Sequence, residues 1–85
     1  MKVMVAVNEQ EGFMALMGKR ITLFCAVYIY TGKLVDVNET CIKLEDPAIV
    51  YETGAFNEKN WKDAQPLPHT IYIQQAMVEA FGEVK

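Results

Sequence analysis

One histidine, two cysteines and eleven carboxylates are the residues of this chain that acid–base, nucleophilic or metal chemistry would draw on. Their spacing supports little of it. Cys25 and Cys41 lack the close pairing of a zinc site or a redox CxxC, and both fall in apolar runs, so buried reduced thiols are expected. His69 follows Pro68 at the start of an apolar run, with no Cys or Asp beside it. A Cys41–His69 pair would have to be made by the fold alone. No Gly-rich phosphate loop and no metal-ligand spacing occurs. The expectation is therefore no catalytic residue, no metal and no cofactor, and no small-molecule substrate is evident.

Aromatic rings are the other chemical resource. Trp61 stands in a polar segment with Lys59 and Lys62 close by, the one aromatic-basic cluster in the sequence, although Glu58 and Asp63 nearly neutralise it. Such a ring can stack on an unpaired base or dock on a partner. Tyr28, Tyr30, Tyr51 and Tyr72 lie in strand-like runs, where packing is the ordinary role of a tyrosine.

The charge balance limits the partners. The net charge is −3, and it is uneven: residues 1–35 carry +2 and residues 36–85 carry −5. Duplex DNA binding needs a basic footprint, which is missing here. Lys2, Lys19 and Arg20 make a small basic group near the start; capping and solvation are its expected work. No apolar run reaches membrane-spanning length and the first residues lack a signal cleavage pattern, so a cytoplasmic chain with no membrane role is expected.

Eighty-five residues predict a single domain, and 52% of them are hydrophobic. A domain of this size buries only about 60% of its unfolded surface. Apolar surface in excess of that predicts self-association.

The elements follow from local pattern. Residues 1–10 form an N-terminal extension, in which Val3, Val5 and Val7 alternate as in a short strand. "EGFMALMG" predicts a short helix over 11–18, ended by Gly18. The β-branched and aromatic run "RITLFCAVYIYTGKLVDV" predicts two strands with a break near Phe24–Ala26. Gly32 sits inside the second of them, where a glycine marks a bulge, a tight corner or a close backbone approach. Asn38, Glu39 and Thr40 form a polar turn. In the next strand Ile42 and Leu44 point one way and Lys43 and Glu45 the other, and the strand runs on past Pro47. "GAFNEKNWKDAQPLP" reads as a loop. "HTIYIQQAMVEAFGEV" reads as a strand, a kink near Gln74–Ala76 and a last strand over Met77–Phe81. The result is an all-β chain of about five hairpin-connected strands, a small barrel by its spacing.

These residues resemble the Sm-like (LSm, Hfq-type) protein family, as a divergent bacterial or phage-type member. "FMALMGKRITL" is similar to the family's N-terminal helix, the glycine after it and the first strand. "GKLVDVNETCIKL" is similar to the bent second strand, its turn and the third strand, and "TIYIQQAMVEAF" to the last strand, turn and strand. The Tyr-Lys-His triplet of Hfq-type proteins is replaced by Gln74 and Gln75 in "IYIQQ". The resemblance implies a strongly bent five-stranded antiparallel Sm-like (SH3-like) barrel over residues 19–85 that assembles as a homo-oligomeric ring, with five to seven subunits expected. It implies that Asn38, Glu39, Thr40, Gln74 and Gln75 face the pore and contact single-stranded RNA. It also places Ile71, Tyr72, Ile73, Met77, Val78 and Phe81 at the contact between subunits. The function implied is RNA metabolism or post-transcriptional regulation. The alternative is a ring-shaped protein–protein scaffold with no nucleic-acid role, which the acidic balance favours.

Overall fold

A computed structural model of the chain describes residues 12–83. Lys2 and the alternating Val3, Val5 and Val7 lie outside the described residues. Helix α1, Gly12–Leu16, is followed by six strands: β1 (Arg20–Cys25), β2 (Ile29–Val37), β3 (Cys41–Glu52), β4 (Asp63–Pro66), β5 (Ile71–Gln74) and β6 (Val78–Glu83), with a 3₁₀ turn at Gln75–Met77. All pairings are antiparallel. The sheet runs β4-β3-β2-β1-β6, and β5 also pairs with β3.

Helix α1 ends at Leu16, before the end at residue 18 expected for it. Gly18 lies beyond it at φ +83°, a conformation that suits glycine, and its N–H donates to the Leu34 carbonyl at 2.7 Å. The first hairpin turns over 26–28 rather than at Phe24–Ala26, because Phe24 still pairs with Ile29. The last strand begins at Val78, with Met77 left in the 3₁₀ turn.

The pairing of strand β2 with β3 is irregular at Gly32. The register shifts between Thr31 and Lys33, and a Cβ on residue 32 would lie 3.2 Å from the Glu45 carbonyl oxygen, the Leu44 Cβ and the Pro47 Cα. Here the glycine allows a close backbone approach. Opposite it, β3 turns a corner at Asp46, whose φ of 48° is left-handed, a region Asp tolerates better than most residues. Arg20 Nη2 donates to the Asp46 carbonyl at 3.2 Å, which satisfies an acceptor at the corner. The corner divides β3 into two working halves. Cys41–Leu44 pairs with β5, and Ala48–Glu52 pairs with β4.

Strand β4 lies within the segment read as a loop, so the sheet has six strands where five were expected. "DAQP" has no β-branched or aromatic residue to announce a strand. It pairs because the second half of β3 offers it a free backbone edge, and Pro66 is tolerated at the rim.

Ile21, Leu23, Leu34, Ile42, Leu44 and Ile73 form the buried core, with Phe13, Leu16, Val37 and Val78 packed around it. Ile42 and Leu44 are fully buried and Glu45 is exposed, the alternation their spacing required. The sheet is not closed by hydrogen bonds among the described residues. β5 and β6 are joined through the 3₁₀ turn, and each has one strand neighbour among the described residues.

The opposite face of β1 is also covered. Thr22 is 1% exposed. Two residues on, Phe24 lies 6.4 Å from Phe56, and Phe56 meets Trp61 edge-on at 6.3 Å, so the segment 53–62 folds back over this face. Thr31 Oγ1 donates to the Ile21 carbonyl at 2.9 Å, whereas Thr22 Oγ1 has no hydrogen-bond partner among the described residues. Thr22→Val keeps the shape and removes that unsatisfied hydroxyl. The variant is expected to be more stable by about 1 kcal/mol, seen as a higher urea midpoint at unchanged slope.

Candidate nucleic-acid interface

The turn between β2 and β3 is built by one side chain. Asn38 Oδ1 accepts hydrogen bonds from the backbone N–H groups of Thr40 at 2.8 Å and Cys41 at 2.7 Å, and from Thr40 Oγ1 at 3.2 Å. An Asn side chain folding onto the backbone just ahead of it is a local preference, legible in the sequence. The Asn38 N–H closes the hairpin on the Cys41 carbonyl at 3.0 Å.

The second turn comes to meet the first. Gln75 Nε2 donates to the Asn38 carbonyl, across 37 residues of sequence, and the Gln75 N–H donates to the Thr40 carbonyl at 2.8 Å. Gln74 is exposed and lies opposite Cys41 in the β3–β5 register. Asn38, Glu39, Thr40, Gln74 and Gln75 therefore share one end of the sheet. With Asn38 Oδ1 and one Gln75 Nε2 proton engaged, these two amides still offer the Asn38 Nδ2 donors, the second Gln75 Nε2 proton and the Gln75 Oε1 acceptor. Exposed Asp36 and Glu39 give this end a negative rim.

Beside the turns stands a pair that sequence reading did not single out as a site. Lys43 in β3 is opposite Tyr72 in β5, and its Nζ lies 5.8 Å from the ring centroid. Tyr72 is 66% exposed. Asp36, Asn38 and Cys41 line the same small cleft. The pairing depends on the β3–β5 register, so no local signal points to it.

On the other side of Tyr72 lies a larger apolar groove of about 440 Å³, walled by Tyr28, Tyr30, Ile49, Tyr72 and Met77, with Cys25 and Gln74 also at its surface. Burial, and then the Glu79 carboxylate, push the Cys25 thiol above its ordinary value. Burial, and then Cys25 and Tyr28, do the same to the Tyr30 hydroxyl. Both groups stay protonated at neutral pH and are hydrogen-bond donors there.

The other expected site residues are placed differently from one another. Ile73 is 6% exposed and belongs to the core, so its side chain is not available to a neighbouring subunit. Ile71 and Val78 are half-buried against that core. Tyr72, Met77 and Phe81 are exposed, but Phe81 stacks on Phe13 at 3.9 Å. Trp61 is half-buried in the aromatic cluster over β1, and Lys62 Nζ lies 3.4 Å from a Glu52 carboxylate oxygen, while Lys59 is exposed. Lys19 pairs with Glu83 at 3.3 Å. His69 Nδ1 meets the Thr70 carbonyl at 3.1 Å and the Thr40 hydroxyl meets Cys41 Sγ at 3.6 Å, so the two residues are engaged with different neighbours.

No helix among the described residues is long and apolar enough to cross a membrane. No protein-family model, curated protein or solved structure matches the chain.

Proposed function

We propose that this chain is an Sm-like, ring-forming β-barrel module that binds single-stranded RNA at the end of the sheet where its two turns meet. The observation that carries this reading is the contact of Gln75 with the Asn38–Thr40 turn, which gathers polar side chains from distant sequence onto one surface. Amide donors and acceptors of this kind suit exposed base edges. The register shift and close backbone approach at Gly32 support the barrel reading, because a glycine and a bulge are devices by which a strand curls toward closure. Assembly is supported by the edges of β5 and β6 that no described strand pairs: such edges invite pairing, and a head-to-tail contact that closes makes a ring. A ring of five to seven copies repeats each weak contact and raises avidity without a large positive charge.

A protein–protein scaffold is the second reading. The acidic rim of Asp36 and Glu39 favours it, since a ring of carboxylates repels phosphate. Fluorescence anisotropy of labelled oligo-U and oligo-A at low salt, with light scattering on the same samples, separates the two. Saturable, salt-sensitive binding by an oligomer is expected. An intact oligomer that ignores both oligonucleotides leaves the scaffold, and a monomer at micromolar concentration removes the ring.

A further inference from the structure

We infer that Tyr72 is a stacking platform for an unpaired nucleobase, with Lys43 holding the ring and facing the attached phosphate. The inference rests on the nucleic-acid reading above and assigns it a site that the two turns do not supply.

Tyr72 is the most exposed strand tyrosine among the described residues, although its strand is hydrogen-bonded into the sheet. Its ring is exposed together with Tyr28 and Met77, which line one groove with it, and a contiguous exposed apolar patch of this kind is informative where a single exposed ring is not. Tyr72 stands in the walls of both hollows, the small cleft with Lys43 and Asn38 and the apolar groove with Tyr28, Tyr30 and Met77. The Lys43 ammonium makes a cation–π contact with the ring at 5.8 Å from its centroid. It orients the ring and places a positive charge where the rim is otherwise acidic.

The groove suits a base better than an aliphatic chain. Its volume of about 440 Å³ lies in the range of small-ligand sites, about 300–1,000 Å³. Tyrosine hydroxyls, the Cys25 thiol and the Gln74 amide give its apolar walls a few polar points at which a base edge can be held. A paired base would first have to be unpaired and unstacked to enter, so a single strand is the favoured ligand.

The test uses the full chain with labelled oligo-U and oligo-A, and inorganic polyphosphate as a competitor that has charge without bases. Tyr72→Ala is expected to weaken oligonucleotide binding about tenfold or more, whereas Tyr72→Phe stays within about twofold, because stacking needs the ring and not the hydroxyl. Tyr72→Leu, which keeps apolar bulk, is expected to lose as much as Tyr72→Ala and covers the case in which the smaller side chain disturbs folding. Lys43→Gln is expected to flatten the salt dependence, and polyphosphate to compete poorly. If Tyr72→Ala and Tyr72→Leu bind like the wild type, the platform is wrong while RNA binding stands. The platform is likewise overturned if Tyr72→Ala disperses the oligomer, which would place the ring in a subunit contact, or if polyphosphate competes as well as RNA. A wild-type chain that binds neither oligonucleotide overturns the RNA reading, and the platform with it.

Discussion

Gly32→Val is expected to cost the fold about 3 kcal/mol, a large share of the roughly 5–15 kcal/mol that holds a small domain together. The cause is space and not backbone angle. A Cβ at this position would sit 3.2 Å from the Glu45 carbonyl oxygen, from the Leu44 Cβ and from the Pro47 Cα. None of these is the free end of a flexible side chain. All three belong to the stretch of β3 that turns the corner at Asp46, so relief requires β2 and β3 to separate where their register already shifts. The first methyl alone, in Gly32→Ala, is expected to cost about 1–2 kcal/mol, and the branched side chain adds the rest. Gly82→Ala is the matched control, since a Cβ there meets nothing within 4 Å; its effect should stay within about 0.5 kcal/mol. Urea unfolding followed by far-ultraviolet circular dichroism measures all three. Equal stability of Gly32→Val and the wild type would show that the two strands do not approach each other in this way.

Leu44→Ala is expected to cost about 3 kcal/mol or more. Leu44 is fully buried at the centre of the core. It pairs with Leu34 across β2 and with Ile71 across β5, so it joins the two halves of the structure that meet at the corner of β3. Truncation leaves a cavity bounded by strands on both sides, which cannot collapse into it without breaking register. Leu44→Met preserves most of the volume and should lose less than about 1.5 kcal/mol. The ratio of the two losses, read from denaturant midpoints, reports how rigidly the core is framed. Equal losses would mean that the site repacks freely and that its shape is not set by the surrounding sheet.

Much of this architecture was legible in local pattern, because the forces that set it act over a few residues. Ile42 and Leu44 alternate with Lys43 and Glu45, and a half-buried strand requires that period. Asn38 makes its own turn through its side-chain oxygen. Gly32 marked a crowded position, and Gln74–Ala76 a break between two strands that the 3₁₀ turn occupies. The candidate site was legible only as two separate turns. Their meeting at Gln75 depends on how the chain returns after β5.

What the residues by themselves determined, then, was which side chains go inside, where the chain must turn and where a strand has to give way. The tertiary structure alone decided that Lys43 faces Tyr72, that Ile73 is withheld from a subunit contact, that Trp61 meets Phe56 and that "DAQP" is a strand. The physical reason is common to all four. Cross-strand register and the availability of a free edge arise between segments far apart in sequence, and a backbone hydrogen bond carries no record of which residue types make it.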